Sequence, residues 1–162
     1  MKLENYIELE KKREKLDFEI AEKFGPTNII DSGEQPEVVW LTGESLGDDD
    51  PALKNNSELP VVFVFDELLL SKLKLSSKRI NFLLDTLREI SHKKDLSVFI
   101  DDPKFILKGK KFAVTYACVP KYRDITSLIK PATEFPSRRL AEPISFYPKS
   151  YSSWKKKIKL SV

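Results

Sequence analysis

Around residue 40 the chain changes character twice in a short space. An apolar run, Val38-Val39-Trp40-Leu41, enters a loop holding Gly43 and Gly47, and three acids, Asp48-Asp49-Asp50, then stand before Pro51-Ala52-Leu53. Proline suits the first position of a helix, where its missing N–H is no loss, and acids just before it complement the partial positive charge of the helix end. The stretch predicts a strand, a loop and a helix starting at Pro51, the first unit of an open parallel sheet. Such sheets collect ligands outside the carboxyl ends of their strands, so the loop that begins at Thr42 is the first place to look for a site.

Length and composition narrow the class. At 162 residues the chain can bury one good core, and a second independent domain is not expected. No uninterrupted apolar run approaches the ~20 residues a membrane helix needs, and no membrane partner is expected. The charged opening Met1-Lys2-Leu3-Glu4 is unlike a secretory signal. A single cysteine, Cys118, excludes an internal disulfide and suits a reducing, cytoplasmic setting. With a single histidine, His92, soft ligands are too few for a structural zinc site, and no metal is expected. Asp48-Asp49-Asp50 offers hard oxygens of the kind Mg²⁺ takes, but acids complementing a helix N-terminus are the simpler account. Gly43 and Gly47 belong to neither a G-x-G-x-x-G nor a G-K-[ST] motif and make no phosphate cradle. Cys118, at a strand end, reads as a small buried hydrophobe.

Periodicity gives an α/β order. Residues 2–24 read as a charged helix with Leu16, Ile20 and Phe24 on one stripe, stopped by Gly25-Pro26. Residues 27–36, with Asn28, Ser32, Gly33 and Pro36, read as a linker. Strands are predicted at Val38–Leu41, at Val61–Phe65 with Asp66 at its carboxyl end, at Leu96–Ile100 and at Lys111–Ala117. The run Val61-Val62-Phe63-Val64-Phe65 is what a parallel strand covered on both faces looks like. Ser76 or Ser77 caps a helix on which Ile80, Leu83, Leu84, Leu87 and Ile90 recur at helical spacing, and Asp101-Asp102-Pro103 opens another. After Ala117 the pattern weakens to a short helix at Ile125–Ile129. Pro131, Pro136, Pro143 and Pro148 then argue for an irregular tail with at most one short edge strand near Arg139–Ala141.

These pieces, in this order, resemble the N-terminal domain of the DNA photolyase/cryptochrome family. That domain opens on a Val-Val-Trp strand, a polar loop and an Asp-Asn-Pro-Ala-Leu helix start, here Val38-Val39-Trp40 and Asp49-Asp50-Pro51-Ala52-Leu53. Its second strand ends in an Asp, as at Asp66, and its long helix carries a pattern similar to Arg79-Ile80-Asn81-Phe82-Leu83-Leu84-Asp85-Thr86-Leu87. Its third strand enters a Gly-Asp-Pro-like turn, here Asp101-Asp102-Pro103, and Tyr147–Lys155 is similar to the segment by which members leave the domain. The likeness covers residues 37–120 well and 121–159 loosely, and none of residues 1–36. It implies a Rossmann-like domain of the kind that holds an antenna pigment. The family's loop arginines are replaced by Thr42, Gly43 and Leu46. Its Asn-Glu-Tyr-like segment is replaced by Cys118-Val119-Pro120-Lys121-Tyr122-Arg123, which speaks against a folate antenna; a flavin or deazaflavin antenna is less clearly excluded. The helical domain that binds FAD and drives DNA repair in full members has no counterpart in these residues. The resemblance therefore implies no FAD in the family's catalytic manner, no tightly bound cofactor and no catalytic residue. It makes a separate FAD-binding photolyase-like protein a candidate partner.

Charge is unevenly spread. Residues 103–162 carry fourteen Lys or Arg against three acids, +11, while the whole chain is +3, which leaves −8 for the remainder. Such asymmetry points the C-terminal part toward something anionic. Tyr151, Trp154, Lys155, Lys156 and Lys157 are the candidate partner-binding residues. The same side chains suit base stacking and phosphate neutralisation on nucleic acid, docking on an acidic protein surface, or simple packing of Trp154 with solvated lysines.

Together these readings predict an α/β chain. Residues 37–162 form a Rossmann-like open parallel sheet of four or five strands with an irregular basic tail, and residues 1–36 form a helical extension and linker. The candidate ligand-binding residues are Thr42, Gly43, Glu44, Asp66 and Tyr116, at the carboxyl edge where the first and fourth strands flank the switch point. Two functions fit. One is a binding module for a separate FAD-binding protein or for a pigment or nucleotide. The other is a small enzyme acting on a nucleotide-like substrate through Glu44 and Asp66, against which the lack of a nearby histidine, cysteine or Gly-rich phosphate loop counts.

Overall fold

One short strand, Val38–Leu41, is buried at all four positions and has sheet on either side of it. It belongs to a computed structural model of the chain that describes residues 25–139, 141 and 150–158. The helix expected over residues 2–24 and the Pro143–Pro148 part of the tail lie outside the described residues. The chain divides into two units, residues 26–137 and residues 1–25 with 138–162, and each is taken by itself.

The first unit holds the whole sheet. In chain order it contains β1 (Ile30–Asp31), β2 (Val38–Leu41), α1 (Pro51–Asn55), β3 (Val61–Asp66), α2 (Glu67–Leu73) and α3 (Ser77–Ser91). Then come β4 (Leu96–Asp101), α4 (Pro103–Leu107), β5 (Phe112–Thr115), α5 (Pro120–Leu128) and β6 (Thr133–Phe135). The strands lie in the order β1-β6-β5-β2-β3-β4. All neighbours are parallel except β1, which runs antiparallel to β6. The fold is α/β, with an open, mostly parallel sheet of six strands rather than four or five. The two extra pairings come from β1, inside the stretch read as a linker, and β6, inside the stretch read as an irregular tail.

Alternation along the strands feeds two cores. Val38, Trp40, Val62, Val64, Phe112 and Val114 turn to one face, under Leu107 of α4 and Tyr122 and Ile125 of α5. Val39, Leu41, Val61, Phe63, Phe65 and Ala113 turn to the other, under Ala52 and Leu53 of α1 and Leu87 and Ile90 of α3. β3 is buried at all six positions, as its unbroken apolar run predicts. β4 is also apolar, yet every residue after Leu96 is exposed, because no described element covers its outer side.

Local chemistry starts the helices where the sequence places them. Asp50 caps α1, its Oδ1 accepting from Leu53 N–H at 2.8 Å, with Pro51 at the first position. Asp102 caps α4 ahead of Pro103, and Ser76 caps α3. The remaining inner amide of α1, Ala52 N–H, donates at 3.0 Å to Oγ1 of Thr115 on β5. This ties the loop after β2 to the strand on the other side of the switch point. Thr115 is 1% exposed, so no water can take over the bond. Thr115→Val keeps the shape and strands the amide, and it should cost about 1–3 kcal/mol, the usual penalty for an unsatisfied buried donor. Denaturant unfolding of the two proteins checks this; equal midpoints and slopes would show that the tie contributes nothing.

Candidate functional site

The loops that follow β2, β3, β4 and β5 surround one cavity of about 540 Å³ at the carboxyl edge of the sheet. The chain runs from β2 outward through β3 to β4, then returns to β5 on the other flank of β2. Loops therefore diverge above β2, which is the geometry of a switch-point crevice. The walls are chiefly apolar: Trp40, Phe63, Phe65, Leu70, Leu83 and Ile125 are among them. Polar groups are few, namely Thr42, Glu44, Asp66, Arg79 and Lys121.

Four of the five ligand-binding candidates, Thr42, Gly43, Glu44 and Asp66, line this cavity. Tyr116 is not among its lining residues. It is 8% exposed and packs edge-on against Tyr122, with ring centroids 5.4 Å apart, inside the core under α5. Cys118 is exposed rather than buried, because β5 ends at Thr115 and the chain has already left the sheet. Trp40, Arg79, Lys121 and Tyr122 also line the cavity, although no motif or spacing groups them. Pro120 was the one available signal, since a proline there marks the start of α5 and so aims its first turn at the edge.

The carboxylate of Asp66 is already engaged. Its Oδ1 caps α2 by accepting from Leu69 N–H at 2.9 Å, and its Oδ2 lies 3.1 Å from Lys121 Nζ, an ion pair whose orientation falls short of a hydrogen bond. Glu44 is exposed at the rim. α5 begins without a side-chain cap, Val119 standing in the capping position ahead of Pro120, and Val119, Pro120 and Lys121 line the cavity. Lys121 and Arg79 give the lining its positive charge, against the carboxylates of Asp66 and Glu44. Trp40 and Tyr122, both lining residues and both buried, stack on each other 5.9 Å apart at an interplanar angle of 15°.

Compared with protein-family models, with curated proteins and with solved structures, the chain gives no match. Among the described residues no helix is long and apolar enough to cross a membrane, and no three His, Cys, Asp or Glu side chains are grouped to hold a metal ion.

The partner-binding candidates fall in the other unit. There α6 (Tyr151–Lys157) replaces the irregular end expected from the prolines, and Ser150 caps it, accepting from Ser153 N–H at 3.2 Å. Tyr151 and Trp154, one turn apart, bring their rings within 5.5 Å. Tyr151 and the lysines Lys155, Lys156 and Lys157 are exposed, and Trp154 is half-buried.

Burial pushes the Tyr122 phenol far above its usual value, and the nearby Glu134 charge adds to this. Burial likewise raises the Glu134 carboxyl, while the Tyr122 hydroxyl beside it acts in the opposite sense. A carboxyl raised by folding is penalised in its charged form. Nothing is lost at a pH below the unfolded value, where both states are protonated, and stability falls as pH rises through the folded value. Glu134→Gln should therefore melt above the parent at pH 7 and converge with it near about pH 4, where a free carboxyl is half protonated. Thermal melts across that range decide; a lower melting temperature for the Gln variant at pH 7 would refute the assignment.

Proposed function

We propose that this protein is a photolyase-related, Rossmann-like binding module that works in the cytoplasm and holds a planar aromatic pigment or nucleotide-type ligand above β2 and β3. The cavity carries the reading. Its volume of about 540 Å³ lies within the ~300–1,000 Å³ typical of small-molecule sites, and its walls are apolar with a few convergent polar groups. The aromatic lining residues Trp40, Phe63 and Phe65 suit a flat ring system, and Lys121 and Arg79 suit an acidic substituent. The strand order and the placement of Asp66 at the end of the second parallel strand support the photolyase resemblance, for which flavin and deazaflavin are the fitting pigments.

The enzymatic alternative finds less support. Asp66 is engaged as a cap and ion-pair partner, and the described lining residues include no serine, cysteine or histidine to pair with Glu44. On the binding-module reading the macromolecular partner is a separate FAD-binding photolyase-like protein. Exposed Tyr151 and Lys155–Lys157 on α6 are the surface assigned to it, by the steering and anchoring roles of such residues at interfaces.

Riboflavin, FMN and a deazaflavin, titrated against the purified chain with tryptophan emission as the signal, should quench Trp40 and saturate. Gly43 lies outside the left-handed region, and a Cβ built on it meets nothing within 4 Å, so Gly43→Leu should fold normally while its side chain fills the approach to the cavity. Affinity should drop at least tenfold, about 1.4 kcal/mol. No saturable quenching with any probe, or unchanged affinity in a folded Gly43→Leu protein, would count against this site.

A further inference from the structure

One carboxylate in the cavity wall has a single oxygen left over. Alternation along β3 puts Asp66 on the face of Val62 and Val64, the face under α5. Asp66 is 8% exposed and is the one buried acid among the described lining residues. Its Oδ1 is used by Leu69 N–H. Its Oδ2 is sealed from solvent and accepts no hydrogen bond from any described residue. Lys121 Nζ, 3.1 Å away, balances its charge without donating to it.

The two members of this ion pair differ in freedom. The Lys121 side chain is 30% exposed and sits on a flexible stem, whereas that of Asp66 is 7% exposed and is fixed by its cap. Lys121 can swing aside and Asp66 cannot. Once the lysine moves, Oδ2 meets the cavity next to the apolar lining of Val64 and Phe65. A buried carboxylate oxygen with neither a donor nor a counter-charge is costly, so a ligand that draws Lys121 away must bring a donor of its own.

We infer that Asp66 determines which planar ligands this cavity accepts, an inference that rests on reading the cavity as a site for such ligands. Oδ2 accepts a hydrogen bond from an N–H on the edge of the ring, and Lys121, released, pairs with an acidic substituent. The ligand class is a flat heterocycle that carries both an imide or amino N–H and an acid. Each of these groups replaces one half of the internal ion pair. A flat anion with no donor is refused, because it would take the lysine and leave Oδ2 unbalanced.

Three probes separate the two contacts: FMN, its analogue methylated at the imide nitrogen, and riboflavin, which keeps the imide and lacks the phosphate. With tryptophan quenching as the signal, FMN should bind about tenfold or more tightly than its methylated analogue, the usual scale for a hydrogen bond to a charged group. It should also bind more tightly than riboflavin. Asp66→Asn keeps the shape of the side chain and an oxygen to cap α2, and it turns Oδ2 into a donor. In this variant the preference for FMN over the methylated analogue should vanish. Asp66→Ser, which caps through its one oxygen, repeats the test should the first variant fail to fold. Lys121→Gln should keep that preference and reduce the preference for FMN over riboflavin. Equal binding of FMN and its methylated analogue by the parent overturns the inference and leaves the cavity a ligand site. The same holds for a preference that survives in a folded Asp66 variant, as simple exclusion of the methyl group would give, or for an unchanged phosphate preference in Lys121→Gln. A parent that binds none of the probes overturns the inference together with the reading beneath it.

Discussion

The geometry of the carboxyl edge follows from the saturation of β2. Its four residues are buried on both faces, and both of its edges are taken, by β3 on one side and β5 on the other. Burying each large apolar side chain contributes roughly 1.5–3 kcal/mol, so few sites in the chain have a stronger claim to the interior. With β2 filled on all sides, the rest of the chain must depart to the left and to the right of it. The loops above it then part, and an opening forms where they do. The bond from Ala52 to Thr115 ties the helix that follows β2 to the strand on its other flank.

Carboxylates at that edge serve the fold before they serve chemistry. Asp50, Asp66 and Asp102 each accept from the first turn of the helix that follows them. A helix start leaves amides without partners, and an acid just before the helix is the nearest group able to take one. What remains in the cavity is a chiefly apolar, aromatic lining, one arginine and a lysine whose charge Asp66 partly offsets. That set suits recognition by shape and charge better than bond-making.

The legible parts of the fold were those whose causes are local. The apolar run of β2, the proline after an acid at Asp50-Pro51 and Asp102-Pro103, and the doubly covered β3 all announce themselves within a few residues. β1 and β6 do not. Each is two or three residues long, among turn-formers or between Pro131 and Pro136, and each exists as a strand because a partner completes its hydrogen bonds. Three of the site residues are set by position in the loop after β2 and one by the end of β3, so they could be read in order. Tyr116 was misread because alternation along β5 carries it to the Val114 side, under α5. Arg79 and Lys121 are brought to one cavity only by the tertiary fold. β3 and β4 look alike as sequences, since apolar composition reports the tendency to pair and not what lies over the strand.

The pairing of Ile30 with Glu134 joins the first strand of the unit to the last. On a ribosome, β1 emerges early and has nothing to pair with until Phe135 has been made, so this side of the sheet closes last and over nearly the full length of the unit. The same pairing brings the entry and exit of the unit side by side. A unit whose two ends meet at one point on its rim can be set into a loop of a larger chain without stretching either junction, which makes this fold a natural cassette for recombination.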